Sequence, residues 1–172
     1  VSSMGSHVSV VPNHQLNRKT PLHTRANVAY FGTFGYELDL NKLSDEEISE
    51  VKQQITFMKK YRELIQFGTF YRLKSPFEGN ETAWMTVSED KKTALVFWYR
   101  ERNVVNADFT RVRLQGLDPD LIYRNEYNGT ENYGDELMNL GLLTTDCTAG
   151  EPTSEDEPCT DYESRIYVLT AK

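Results

Sequence analysis

The sequence predicts an α+β chain in two regimes: strand, strand and one long helix up to residue 68, then an all-β antiparallel sandwich over 69–172. Three observations predict it. Ser44 and Glu47 form a capping box in front of apolar residues at helical spacing. The hydrophobic period changes from helical to alternating just after Gly68. Seven short alternating segments with turn residues between them follow.

In chain order, residues 1–27 are polar and irregular apart from Val8 to Val11, a short apolar run after Gly5 that reads as a buried strand ended by Pro12-Asn13. Asn27 to Phe31 reads as a second buried strand. Gly32 and Gly35 mark bends or close approaches of the backbone beyond it. The helix runs over about 45–67, capped by Ser44, with Leu43 and Ile48 as the flanking hydrophobic staple. Its apolar stripe is Ile48, Val51, Ile55, Met58 and Ile65, and Gly68 is placed for a left-handed C-cap.

The predicted sandwich strands are Phe70–Leu73, Ala83–Val87, Thr93–Tyr99, Phe109–Leu114, Leu121–Tyr127, Leu137–Leu140 and Arg165–Leu169. Glu89 to Lys92 makes a polar turn, and Asn128-Gly129 signals a hairpin of the I′ type. Residues 93–99 are apolar on both faces, which marks a central strand covered twice. The segment up to residue 68 is too small to be a domain by itself and reads as the tail of something larger.

With 172 residues, 38% hydrophobic and 12% aromatic, the chain can build a packed core for one domain or a small domain plus part of another. The net charge of -7 is localised. Residues 144–163 hold seven acids and no Lys or Arg, leaving 19 acids against 19 bases elsewhere. No basic patch points to nucleic acid or anionic lipid. No apolar run approaches the roughly 18 residues of a membrane helix, and no charged-then-apolar leader opens the chain. Cys147 and Cys159 lie inside the acidic stretch. They are read as unpaired loop thiols of a reducing compartment, with a disulfide between them as the alternative. Their spacing does not fit a four-ligand metal site. A Ca²⁺ loop is the other reading of this stretch, but it lacks the fixed spacing of an EF-hand, which favours a solvated insert.

Several stretches resemble family 36 glycoside hydrolases, the α-galactosidases. They include Ser3 to Ser9, Val11-Pro12-Asn13-His14-Gln15, Thr24 to Ala29, Phe31 to Asp39, Tyr61 to Gly68, Tyr71-Arg72-Leu73, Ser75 to Asn80 and Gly134 to Asn139. The resemblance implies that residues 1–68 are the last strands and helix of a (β/α)₈ barrel, incomplete because a whole barrel takes about 250 residues. Residues 69–172 would be the C-terminal β-sandwich domain, with an acidic insert at about 144–163. It also implies retaining hydrolysis of terminal α-galactosides of the melibiose and raffinose type, by two aspartates on earlier barrel strands. Neither motif of those aspartates matches here: the only Ser-Asp pair, Ser44-Asp45, belongs to the helix cap. No catalytic residue is therefore assigned within the chain; both are expected upstream of Val1, and the fragment alone is expected to be inactive. The implied partners are α-galactoside sugars, the rest of the barrel and further copies of the parent in a homo-tetramer. No cofactor or metal is implied, and the implied location is cytoplasmic.

By this resemblance His7, Asn13 and His14 follow a barrel strand, where βα loops build the active face. They are read as substrate-proximal, with maintenance of loop geometry as the alternative. Glu37 and Asp39, two apart in a strand, point the same way and would suit an acid/base pair; a polar strand end is the plainer reading. Trp84, Trp98, Tyr99 and Tyr123 suit either a sugar-stacking platform, as in a non-catalytic carbohydrate-binding module, or a core. Two glycosylation sequons, at Asn80 and Asn128, are read as turn sequences.

Overall fold

A computed structural model describes residues 3–104, 109–144 and 161–172. The readings of Cys147, Cys159 and most of the acidic stretch lie outside the described residues. The chain divides into two compact units, Val1–Phe67 and Gly68–Lys172.

The first unit runs β1 (Gly5–Ser9), α1 (Leu22–Ala29), β2 (Thr33–Glu37), a 3₁₀ turn (Leu40–Lys42) and α2 (Asp45–Phe67). β1 and β2 are parallel, with Gly5 opposite Thr33 and Ser9 opposite Glu37. A parallel pair requires a crossover, and α1 supplies it. The expected strand at 28–31 is thereby corrected: Val28 and Ala29 end a helix whose Leu22, Ala26 and Ala29 are buried at i, i+4 and i+7. A short apolar run does not itself distinguish a strand from the end of a buried helix. Similarly, the expected strand at 8–11 starts earlier and stops at Ser9, before the cis Val11–Pro12 bond.

α2 forms as its cap predicts. The Glu47 amide donates to Ser44 Oγ at 3.2 Å, and the Ser44 amide donates to Glu47 Oε2 at 2.9 Å. The buried stripe is Val51, Gln54, Met58, Tyr61 and Ile65, so Gln54 takes the place that spacing suggested for Ile55, which is exposed. Gly68 is not among the glycines in the left-handed region, so the expected left-handed C-cap is corrected too. The chain passes straight from Phe67 into β3 at Thr69.

The second unit is a six-stranded antiparallel sheet ordered β3 (Thr69–Lys74), β4 (Glu81–Val87), β5 (Thr93–Arg100), β10 (Glu163–Ala171), β7 (Ile122–Asn125) and β8 (Glu131–Tyr133). A short ladder of β6 (Arg111–Val112) and β9 (Leu142–Leu143) stands apart from it in hydrogen bonding. Met85, Val96, Trp98, Tyr167 and Leu169 form one apolar core with Val112, Leu114, Leu117, Leu137 and Leu142. The doubly apolar strand is central: Leu95 and Phe97 on one face and Val96 and Trp98 on the other are all fully buried in β5.

The expected strand at 137–140 is a short helix, α3 (Gly134–Asn139), in which Leu137 is buried and Leu140, three residues on, is exposed. Gly141 at φ 90° ends it, donating to the Glu136 carbonyl at 3.3 Å. The strand expected at 109–114 keeps only Arg111 and Val112 in a ladder. The turn at 89–92 is as read: Asp90 Oδ1 accepts from Ser88 Oγ at 2.7 Å and from the Lys92 amide at 3.0 Å. The hairpin at Asn128-Gly129 also forms, joining β7 to β8. It is longer than a two-residue turn, since the ladder ends at the pair Arg124–Glu131, and it is not of the I′ type, since Gly129 has positive φ and Asn128 does not.

Candidate functional site

β1 and β2 expose two unlike faces. Side chains alternate along a strand. Ser6 Oγ donates to the Ala29 carbonyl of α1, Phe34 stacks on Tyr30 at 4.9 Å, and Tyr36 Oη donates to Gln54 Oε1 of α2 at 2.8 Å. Ser6, Val8, Phe34 and Tyr36 therefore occupy the helix side. Burial raises the pKa of Tyr30, and burial with the Glu50 carboxylate pushes Tyr36 up to about 12. Both phenols stay protonated donors at neutral pH.

Gly5, His7 and Ser9 of β1 and Thr33, Gly35 and Glu37 of β2 share the opposite face. His7 Nε2 lies 2.5 Å from Glu37 Oε2, and both side chains are more than half exposed. Sequence reading picked out His7 but left Glu37 paired with Asp39. Asp39 instead accepts from the Asn41 amide at 3.1 Å and caps the 3₁₀ turn, so the two acids have separate partners.

Asn13 shapes its loop. Its Oδ1 accepts from the amides of Gln15 and Leu16, each at 3.0 Å, in an Asx-type turn. His14 beside it is exposed. Arg25, on α1, ties this loop to β1: Nε donates to the Thr20 carbonyl at 3.0 Å and Nη1 to the Ser9 carbonyl. Burial lowers its pKa, and Glu47 and Glu50 act in the opposite direction. Glu37 thus ends β2 and the Arg25-held loop follows β1, at the edge where parallel α/β folds place their ligands, whereas His7, expected after the strand, lies at the middle of β1 and reaches Glu37 across the ladder.

In the second unit the candidate aromatics belong to the packing. Trp98 is fully buried and Tyr123 nearly so. Tyr123 Oη donates to the Lys91 carbonyl at 2.6 Å and accepts from the Asp118 amide at 2.9 Å, and its burial raises its pKa. Trp84 packs on Tyr99 at 4.8 Å. Glu81 binds Lys74 and accepts from Thr110 Oγ1 at 2.8 Å. Both sequon asparagines bond to backbone: Asn80 to both the carbonyl and the amide of Arg102, 22 positions along the chain, and Asn128 to the amide of Thr130 within its own turn. Among the described residues, no group of three or more His, Cys, Asp or Glu is arranged to hold a metal, and no helix is long and apolar enough to cross a membrane.

Two family models match the chain in order: Melibiase over residues 1–68, and the glycosyl hydrolase family 36 C-terminal domain over residues 81–169. Alpha-galactosidase AgaA of Geobacillus stearothermophilus is 53% identical over 142 residues, covering 83% of this chain and 19% of AgaA. Alpha-galactosidase 1 of Pediococcus pentosaceus is 44% identical over 99% of this chain and 22% of its own length. The crystal structure of AgaA superposes with a TM-score of 0.89 at 46% identity, over 99% of this chain and 22% of that one. Variants of AgaA have been solved with raffinose and with stachyose. The chain spans about one-fifth of the length of the curated relatives it matches. With the C-terminal-domain model covering more than half of its residues, the chain belongs to glycosyl hydrolase family 36.

Proposed function

We propose that the chain is the C-terminal part of an α-galactosidase that cleaves terminal α-galactosyl residues of raffinose-type sugars with retention of configuration. The observation that carries this reading is the succession of the two family models along the chain, backed by relatives named α-galactosidases. Residues 1–68 act as the closing strands and helix of a (β/α)₈ barrel, and the six-stranded sheet with its short second layer acts as the C-terminal sandwich domain. The βαβ unit supports the barrel: parallel sheets are covered on both faces, yet one face of β1 and β2 is open in this chain.

Retaining hydrolysis requires two carboxyl groups about 5 Å apart, one attacking the anomeric carbon and the other protonating the leaving oxygen and then activating water. Glu37 and Asp39 are committed to His7 and to a turn, which supports placing both aspartates on other strands of the enzyme. Asn13 holds the loop on the sugar side through its Asx turn, and His14 stands on the same loop. The parent works as a cytoplasmic homo-tetramer.

The test is hydrolysis of p-nitrophenyl α-galactoside and raffinose. The full-length protein carrying this chain turns both over, and the purified chain turns over neither. Turnover by the chain alone contradicts the placement of the aspartates. A full-length protein inactive on every α-galactoside contradicts the reading itself.

A further inference from the structure

The open face of β1 and β2 is unusual for its sheet type. Its six positions are Gly5, His7, Ser9, Thr33, Gly35 and Glu37, without one Val, Ile, Leu, Met, Phe, Tyr or Trp. Parallel strands are ordinarily rich in Val, Ile and Leu on both faces, because helices cover one side and more protein the other. Barrel interiors are likewise filled by branched apolar layers. The helix side here obeys that rule, with Val8 fully buried and Phe34 and Tyr36 packed toward α1 and α2. A face that must be covered, but carries only glycine, hydroxyl, imidazole and carboxylate, is built to line a polar cavity rather than a core.

Within that face one pair is organised. His7 stands opposite Gly35, and Ser9 opposite Glu37, so His7 and Glu37 are diagonal neighbours across the ladder. Gly35 leaves room above the ladder: a Cβ built there meets nothing within 4 Å. The Glu37 carboxylate takes His7 Nε2, which fixes the ring's orientation and leaves Nδ1 for a second partner.

We propose that His7 and Glu37 form a positioning dyad of the sugar site, in which Glu37 orients the His7 imidazole and its second nitrogen holds a polar group that meets the bound galactoside. This rests on the α-galactosidase reading above. The dyad performs no bond-making step: it acts through the group it holds.

Full-length enzyme carrying His7→Leu, His7→Gln, Glu37→Gln and the His7→Leu/Glu37→Gln pair tests it on p-nitrophenyl α-galactoside. His7→Leu lowers kcat by about 100-fold and Glu37→Gln by about 10-fold, while KM moves by less than about 3-fold. His7→Gln, which keeps a nitrogen on the side chain, recovers about 10-fold of the loss. The pair is no worse than His7→Leu alone, because the two residues act as one unit. Single variants within about twofold of wild type, additive losses, or a loss that tracks melting temperature and is not rescued by Gln overturn the proposal. If wild-type enzyme turns over no α-galactoside, the α-galactosidase reading has failed, and galactose affinity by calorimetry judges the dyad. A drop of about tenfold in His7→Leu sustains it, and unchanged affinity or no binding by wild type overturns it.

Discussion

Glu163 is held between two guanidinium groups, those of Arg100 on β5 and Arg165 two residues along β10, the latter at 2.6 Å. The Arg100 side chain is only 8% exposed. Neutralising its partner strands a buried charge, which costs several times what an exposed pair is worth. Glu163→Gln should therefore lower unfolding stability by about 3 kcal/mol, read from the urea midpoint. Sequence showed the two arginines and the acid, but not that β10 returns to lie beside β5. Gly32 offers a second case. A Cβ there would press into the Met4 carbonyl and the Ser6 hydroxyl, so Gly32→Ala should cost about 1–3 kcal/mol through overpacking. The sequence had marked Gly32 as a close approach without identifying the neighbour.

Among the elements, α2 is the one most legible in advance, because its start is decided locally. The capping box lies within four consecutive residues, and both reciprocal hydrogen bonds form. Ser44→Ala should cost about 1 kcal/mol in thermal unfolding, with Ser44→Asp recovering most of it. α1 was illegible because its apolar residues also suit a strand; burial beneath a parallel pair decides for the helix. The helix-side phenols give a pH test of the first unit. Tyr30 and Tyr36 are more acidic in the unfolded chain than in the fold, so the fold binds their protons more tightly. Their contribution is fully present below about pH 10, the ordinary tyrosine value, and is lost as pH rises through that range toward about 12 for Tyr36. Tyrosinate absorbance should show these two phenols ionising late, together with loss of helical circular dichroism; ordinary titration of all ten tyrosines would refute it.

At the scale of the whole molecule, burial separates packing from sugar stacking as the role of Trp98. Trp98 is fully buried beneath Met85 and Tyr167 neighbours of the same core. Trp98→Ala should cost about 3–5 kcal/mol of stability in urea unfolding. Under the proposed α-galactosidase function, the same change in the full-length protein should leave KM for raffinose within about twofold, as expected for a residue that packs rather than binds. The family was legible along nearly the whole chain, because its motifs are contiguous stretches of sequence. By itself the sequence determined the capped helix, the change of period at residue 68, the turn at 89–92 and the family. Only the tertiary structure decided that residues 22–29 are a helix, that β10 lies between β5 and β7, and that His7 meets Glu37 thirty positions away. The physical reason is range: caps and turns are set by hydrogen bonds among near neighbours, whereas crossover and register are set by which distant faces bury each other.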